Sequence, residues 1–343
     1  MDWEREKLRW KGFSSIWSKD EPDYALTPRS AIWKKNKTTL WHYPAVNKKY
    51  ETPLYLIYSL INQPFILDLY PGNSLIEALV NEGFDVYLID FGIPGYEDKD
   101  LTLDNYLVDY IQKGAQKTLA HSQADELTVM GFCLGGTLAA IYTSMATEPI
   151  KNLILNVAPI DFGHSGSFDQ WGHALRNDEE VSFDEIIDSV GLIPARFIEG
   201  GVRLITSPIY FSPYLSLLNR AYDSGYVERW RLFNKWTKGH IPLPGGVLKQ
   251  LIHEFGKKNS LVNGTLTIRN QPIDLANIHS NLLVVGSTFD RLVPIEQTEK
   301  IMELVSSTDK KFHVNKGGHT GLSKNGELPA YMKEWLPERS KPL

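Results

Sequence analysis

The stretch "LTVMGFCLGGTLAA", residues 127–140, decides the fold. A short apolar run from Leu127 to Phe132 leads into the chain's only cysteine, Cys133, which is flanked by glycines and followed by a helix-like apolar segment. Gly131-Phe132-Cys133-Leu134-Gly135 has the G-x-S-x-G form of a nucleophile elbow, with cysteine in place of serine, in the strand–turn–helix setting that the motif needs. A nucleophile on so sharp a turn has strained backbone angles. Neighbours without Cβ let strand and helix pack closely while the side chain projects from the sheet edge. The turn also aims the amide of Leu134 at the place where an oxyanion would form, near a helix N-terminus whose partial positive charge favours a thiolate. The bland alternative is a small, buried, inert thiol.

Composition limits what surrounds this turn. At 343 residues and 42% hydrophobic content, the chain can bury a large core in one domain, or in one domain with an insertion. The formal charge of −5 arises from 36 basic and 41 acidic residues of interspersed sign, so there is no one-sided basic field of the kind nucleic acid selects. A single cysteine permits no intramolecular disulfide, and the charged start "MDWEREKLRWK" lacks the apolar core of a secretory signal. A cytoplasmic location is expected. Leu127 to Thr147 carries no charge and has about the length of a membrane span. Gly131, Gly135 and Gly136 and the scattered hydroxyls argue instead for strand, turn and helix.

Outside the elbow, "PLYLIYSLI" (53–61), "FDVYLIDF" (84–91) and "IKNLILNVAPIDF" (150–162) read as further strands, separated by helix-length segments such as "NSLIEALVNEG" (73–83). This alternation predicts a mostly parallel sheet with helices on both faces. Residues 1–25 read as an arm carrying Trp3, Trp10 and Trp17, and 26–162 as the first part of the sheet core. Over 163–273 aromatics, prolines and irregular spacing predict an inserted, mainly helical cap. Strand signals resume at "SNLLVVGSTFD" (280–290) and "KKFHVNKGGH" (310–319), so 274–343 completes the core, with a last helix around "LPAYMKEWL" (328–336).

A thiol nucleophile needs a base, and the base needs an orienting group. In an α/β-hydrolase these follow in the order acid, then histidine. Asp290, in "VVGSTFDRLVP", lies just after a buried strand pattern. His319, in "HVNKGGHTG", follows the last strand pattern beside glycines. For Asp290 the plain alternative is a turn or helix-cap aspartate, and for His319 a solvated loop histidine. The other eight histidines, His240 among them, lack the combination of strand end, flanking glycines and position after the acid. No paired cysteines, H-E-x-x-H or Gly-rich phosphate loop suggests a metal or nucleotide cofactor.

At these residues the sequence resembles the poly(3-hydroxyalkanoate) synthases of class III/IV type, closest to the short, two-component class IV (Bacillus-type) enzymes. The resemblance is carried by "LTPRSAIWKKNKTTLWHY" (26–43), "LINQPFILDLYPGNSL" (60–75), "GFDVYLIDFGIPG" (83–95), "LDNYLVDYI" (103–111), "GFCLGG" (131–136), "DRLVP" (290–294) and "GGH" (317–319). It implies an α/β-hydrolase fold, with Cys133 as the nucleophile that carries the acyl chain, His319 as general base and Asp290 as its partner. The amides of Leu134 and of the Ile61–Asn62 turn, Ile61 in particular, would form the oxyanion hole. The implied substrate is an (R)-3-hydroxyacyl-CoA, hydroxybutyryl-CoA first among them; CoA enters only with the substrate and no cofactor is needed. The implied partners are a small accessory subunit, the surface of a cytoplasmic polyester granule and further copies of the chain. Two departures stand out: Arg291 directly follows the acid where most relatives have histidine, and Phe91 stands where tryptophan is usual. A thioesterase or esterase with the same three residues, or a silent granule-associated subunit, remains open at this point.

Overall fold

The computed structural model describes residues 3–17, 23–163, 183–206, 212–320 and 326–343. Its frame is an eight-stranded sheet. The strands are β1 (Ser30–Lys35), β2 (Thr38–Tyr43), β3 (Leu54–Ile57), β4 (Val86–Asp90), β5 (Leu127–Phe132), β6 (Ile150–Asn156), β7 (Asn281–Ser287) and β8 (Lys310–Asn315). They lie in the order β1-β2-β4-β3-β5-β6-β7-β8. From β4 to β8 every neighbouring pair is parallel, whereas β2 runs antiparallel to both β1 and β4. The β1–β2 hairpin had no strand expectation attached to it. "SAIWKK" and "TTLWHY" mix charge with aromatics because the outer strand is largely solvated.

Alternation along each central strand divides the core in two. Tyr55 and Ile57 of β3 pack on one face with Val129 of β5, while Leu54 and Leu56 pack on the other with Met130 and Phe132. A sheet covered on both faces needs strands without polar alternation, which is why these runs read as continuously apolar. Helix α1 spans Trp3–Ser15, α2 Leu75–Glu82, α3 Lys113–Ser122 and α4 Leu134–Met145. Helix α2 is stopped at both ends by its own sequence. The Ser74 side chain accepts from the Glu77 amide, and Gly83 closes the helix at φ 102°.

Between β6 and β7 the described residues form α5 (Phe183–Val190), α6 (Ala195–Thr206), α7 (Ser212–Arg220), α8 (Ser224–Thr237) and α9 (Gly245–Gln250). Helices α10 (Ile295–Glu299), α11 (Ile301–Leu304) and α12 (Ala330–Glu338) follow β7 and β8. Within the arm, α1 lies against the helices of the inserted segment, whereas Tyr24 and Ala25 at the arm's end pack on the sheet core. Phe13 and Ile16, in and just after α1, pack on Leu217, Ala221, Val227 and Trp230 of the α7–α8 pair and its turn, while Trp3 and Trp10 stay exposed. Among the described residues no helix is long and apolar enough to cross a membrane; residues 127–147 divide into β5, a turn and α4.

Candidate active site

Chain direction changes abruptly at Cys133, which has φ 52° and ψ −131° between the end of β5 and the start of α4. Its amide donates to the Asn156 carbonyl of the neighbouring strand at 3.0 Å, and its carbonyl accepts from the amides of Gly136 and Thr137 at 2.8 and 3.3 Å. Holding a side-chain-bearing residue at such angles costs about 1–3 kcal/mol, which the surrounding packing must offset. The glycines make that packing possible. A Cβ on Gly131 would lie 2.5 Å from Cα of Gly136, and one on Gly135 would lie 2.5 Å from the carbonyl oxygen of Ile57. Strand, helix and the segment after β3 therefore converge on backbone contacts that no larger residue allows.

Asp290 lies in the turn after β7 with its side chain wholly buried. Its two oxygens have separate tasks. Oδ1 accepts from the amides of Leu292 and Val293 at 2.9 and 3.0 Å, and Oδ2 lies 2.6 Å from Nδ1 of His319. One carboxylate thus both holds its own turn and contacts the histidine. The loop carrying His319 is tied to the same place. Ser287 Oγ lies 2.8 Å from the carbonyl of Gly317 and 3.1 Å from that of Gly318, and the Phe289 amide donates to the Gly317 carbonyl at 3.0 Å.

Cys133 and His319 line the same space, and the charge of Cys133 acts on the imidazole. Burial pulls the imidazolium down, but the negative charges of Cys133 and Asp290 and the hydrogen bond with Asp290 outweigh it, so His319 is held well above the ordinary histidine range. Nearby, burial pushes the Tyr58 hydroxyl well above its usual range, and the Cys133 charge pushes it the same way. Tyr58 is thus a neutral phenol beside the thiol.

These groups open into a cavity of about 320 Å³ whose exposed lining is mostly apolar and includes Cys133, Asp290 and His319 together with Trp230, Phe233 and Trp236 of α8. Ile61 lines the same space, and its amide makes only a long 3.4 Å contact with Ser59 Oγ. Leu134 is buried beside Cys133 as the first residue of α4. The structure therefore brings together all five residues singled out from the sequence. Tyr58, Trp236 and His240 also line the cavity and had no sequence signal, since the chain segments that carry them meet only after folding. Among the described residues no group of three His, Cys, Asp or Glu side chains is arranged to hold a metal. A buried carboxylate, an imidazole and a thiol in line, with backbone amides nearby, can form and release a covalent acyl thioester.

The α/β hydrolase fold family matches residues 52–185, the segment that contains the elbow. The chain is 31% identical over 94% of its length to a protein of Haloferax mediterranei named "Poly(3-hydroxyalkanoate) polymerase subunit PhaC". Proteins of that same name from Synechocystis and Thiocystis violacea are 29% and 28% identical over 94% and 96% of this chain. The chain belongs to the poly(3-hydroxyalkanoate) polymerase family. It spans 66% of the Haloferax relative, 87% of the Synechocystis one and 94% of the Thiocystis one.

Proposed function

We propose that this chain polymerises (R)-3-hydroxyacyl-CoA, hydroxybutyryl-CoA first among them, into polyester with release of CoA, using Cys133 as the covalent acyl carrier. The observation that carries the reading is the Cys133–His319–Asp290 line at the wall of an apolar cavity. In the loading step the Cys133 thiolate attacks the thioester carbonyl; the new C–S bond forms, the C–S bond to CoA breaks, and the departing sulfur takes the proton from His319. The neutral His319 then accepts the proton of an incoming 3-hydroxyl, whose oxygen attacks the Cys133-bound carbonyl and regenerates the thiolate. Asp290 keeps the imidazole in one orientation through both steps, and the amides of Leu134 and Ile61 receive the negative oxygen. CoA enters as part of the substrate and no cofactor takes part.

The exchange of one thioester for another of similar energy keeps the chain reactive towards the next hydroxyl, so hydrolysis has to be suppressed. The aromatic residues of α8 over the cavity serve that purpose. The proposal extends to a small accessory subunit, to self-association and to growth of the product as a cytoplasmic granule; the relatives' own names call them subunits. Purified protein, with and without a candidate accessory subunit, is given hydroxybutyryl-CoA and followed for CoA release and insoluble polymer. Polymer that forms with the native chain and not with Cys133→Ala is expected. CoA release that yields only soluble hydroxy acid would identify a hydrolase instead.

A further inference from the structure

The cavity holds a second imidazole. His240 follows α8, and its backbone forms an antiparallel bridge with Asn62, while the amide of Ile241 donates to the Ile61 carbonyl at 3.3 Å. The ring is thereby fixed beside the turn to which the proposed function assigns half of the oxyanion hole. Nδ1 of His240 is shut off from solvent and has no hydrogen-bond partner among the described residues. Buried polar atoms are so generally paired that an orphan on a ring lining a cavity, which a small rotation of the side chain would open to that space, asks for a ligand or a water. The polar groups around it are already engaged. Asn62 donates to the Trp236 carbonyl and accepts from the Gln63 amide, Asn234 accepts the Tyr214 hydroxyl, and Thr237 donates to the Asn234 carbonyl.

The ionisation state suits a neutral ligand. Burial pushes His240 below the ordinary histidine range, with Glu199 pulling it up and Arg203 pushing it down. At neutral pH the ring therefore has one N–H and one lone pair, which matches a hydroxyl, itself both donor and acceptor. His319 is already engaged, with Nδ1 on Asp290 and the charge of Cys133 acting on it.

We propose that His240 receives the 3-hydroxyl of the bound hydroxyacyl unit and so selects hydroxyacyl over unsubstituted acyl thioesters. The inference rests on the function proposed above. The 3-hydroxyl is two carbons from the attacked carbonyl, so whatever reads it has to stand next to the oxyanion turn, where residues 239–241 lie. The test is single-turnover CoA release from 3-hydroxybutyryl-CoA and from butyryl-CoA, in the native chain, His240→Leu and His240→Asn. The native chain is expected to favour the hydroxylated substrate about tenfold in kcat/KM, the size of one neutral hydrogen bond. In His240→Leu that ratio is expected to fall to about one, and His240→Asn, which keeps a donor and an acceptor, to recover part of it. A purely structural role would slow both substrates equally. A ratio unchanged in His240→Leu, with an active native chain, overturns the inference alone; should His240→Leu fail to fold, the ratio in His240→Ala decides. A native chain that, supplied with the accessory subunit, releases CoA from neither thioester overturns the proposed function, and this inference with it.

Discussion

At the scale of single residues, Cys133 couples reactivity to backbone strain. Replacement by alanine keeps a Cβ at φ 52°, and therefore the strain, whereas replacement by glycine removes it. Both variants lack the thiol and are expected to be inactive. Cys133→Gly should nevertheless be more stable than Cys133→Ala by about 1 kcal/mol, the strain relief less the entropy glycine gains in the unfolded chain. Denaturant midpoints of the pair check this, and equal midpoints would mean that the elbow stores no strain. The same residue governs His319. A group raised in the folded state contributes stability fully below its unfolded value, roughly 6.5, and loses it as pH rises through the folded value. The Cys133 charge is the largest of the influences that raise His319. In Cys133→Ala the His319 titration, followed by NMR of the imidazole, should move to lower pH. The alkaline loss of stability should start earlier as well. An unmoved titration would rule out the thiol as its partner.

At the scale of elements, close contacts carry the site. A methyl group on Gly135 would sit 2.5 Å from backbone atoms of Ile57 and Tyr58, which cannot yield without shifting β3 and the turn after it. Gly135→Ala is expected to cost at least about 2 kcal/mol and to depress CoA release with it, since that turn carries Ile61. Chemical denaturation and the CoA assay test both halves. The amino-terminal helix offers a second case. Phe13 packs against Leu217, Ala221, Val227 and Trp230, while Trp3 is 71% exposed. Phe13→Ala should speed proteolysis around α1, α7 and α8, and Trp3→Ala should leave the cleavage pattern as it is. If both left it unchanged, the docking of the arm on these helices would carry no stability.

Across the whole molecule, the parallel sheet gathers one group from the carboxyl end of β5, one from the turn after β7 and one from the loop after β8, and α8 covers them. Phe233 belongs to that cover and lines the cavity. Phe233→Ser is expected to admit water and to raise the share of soluble hydroxy acid among the products several-fold; an unchanged share would remove this ring from water exclusion.

The alternation of strands and helices in the sheet core from β3 onward and the elbow turn at Cys133 were legible in the amino-acid sequence alone, and the same reading singled out Asp290 and His319. They rest on periodicity, glycine placement and turn chemistry, which are relations between near neighbours in the chain. Tertiary structure alone decided the rest. It closed the 2.6 Å contact between Asp290 and His319, used the other Asp290 oxygen to hold its own turn, laid the arm on α7 and α8 and brought His240 to the cysteine's cavity. The bond from Asn62 to the Trp236 carbonyl, which helps to seat His240, joins residues 174 apart. No local pattern encodes such a pair, because its geometry exists only once the sheet has placed both segments against each other.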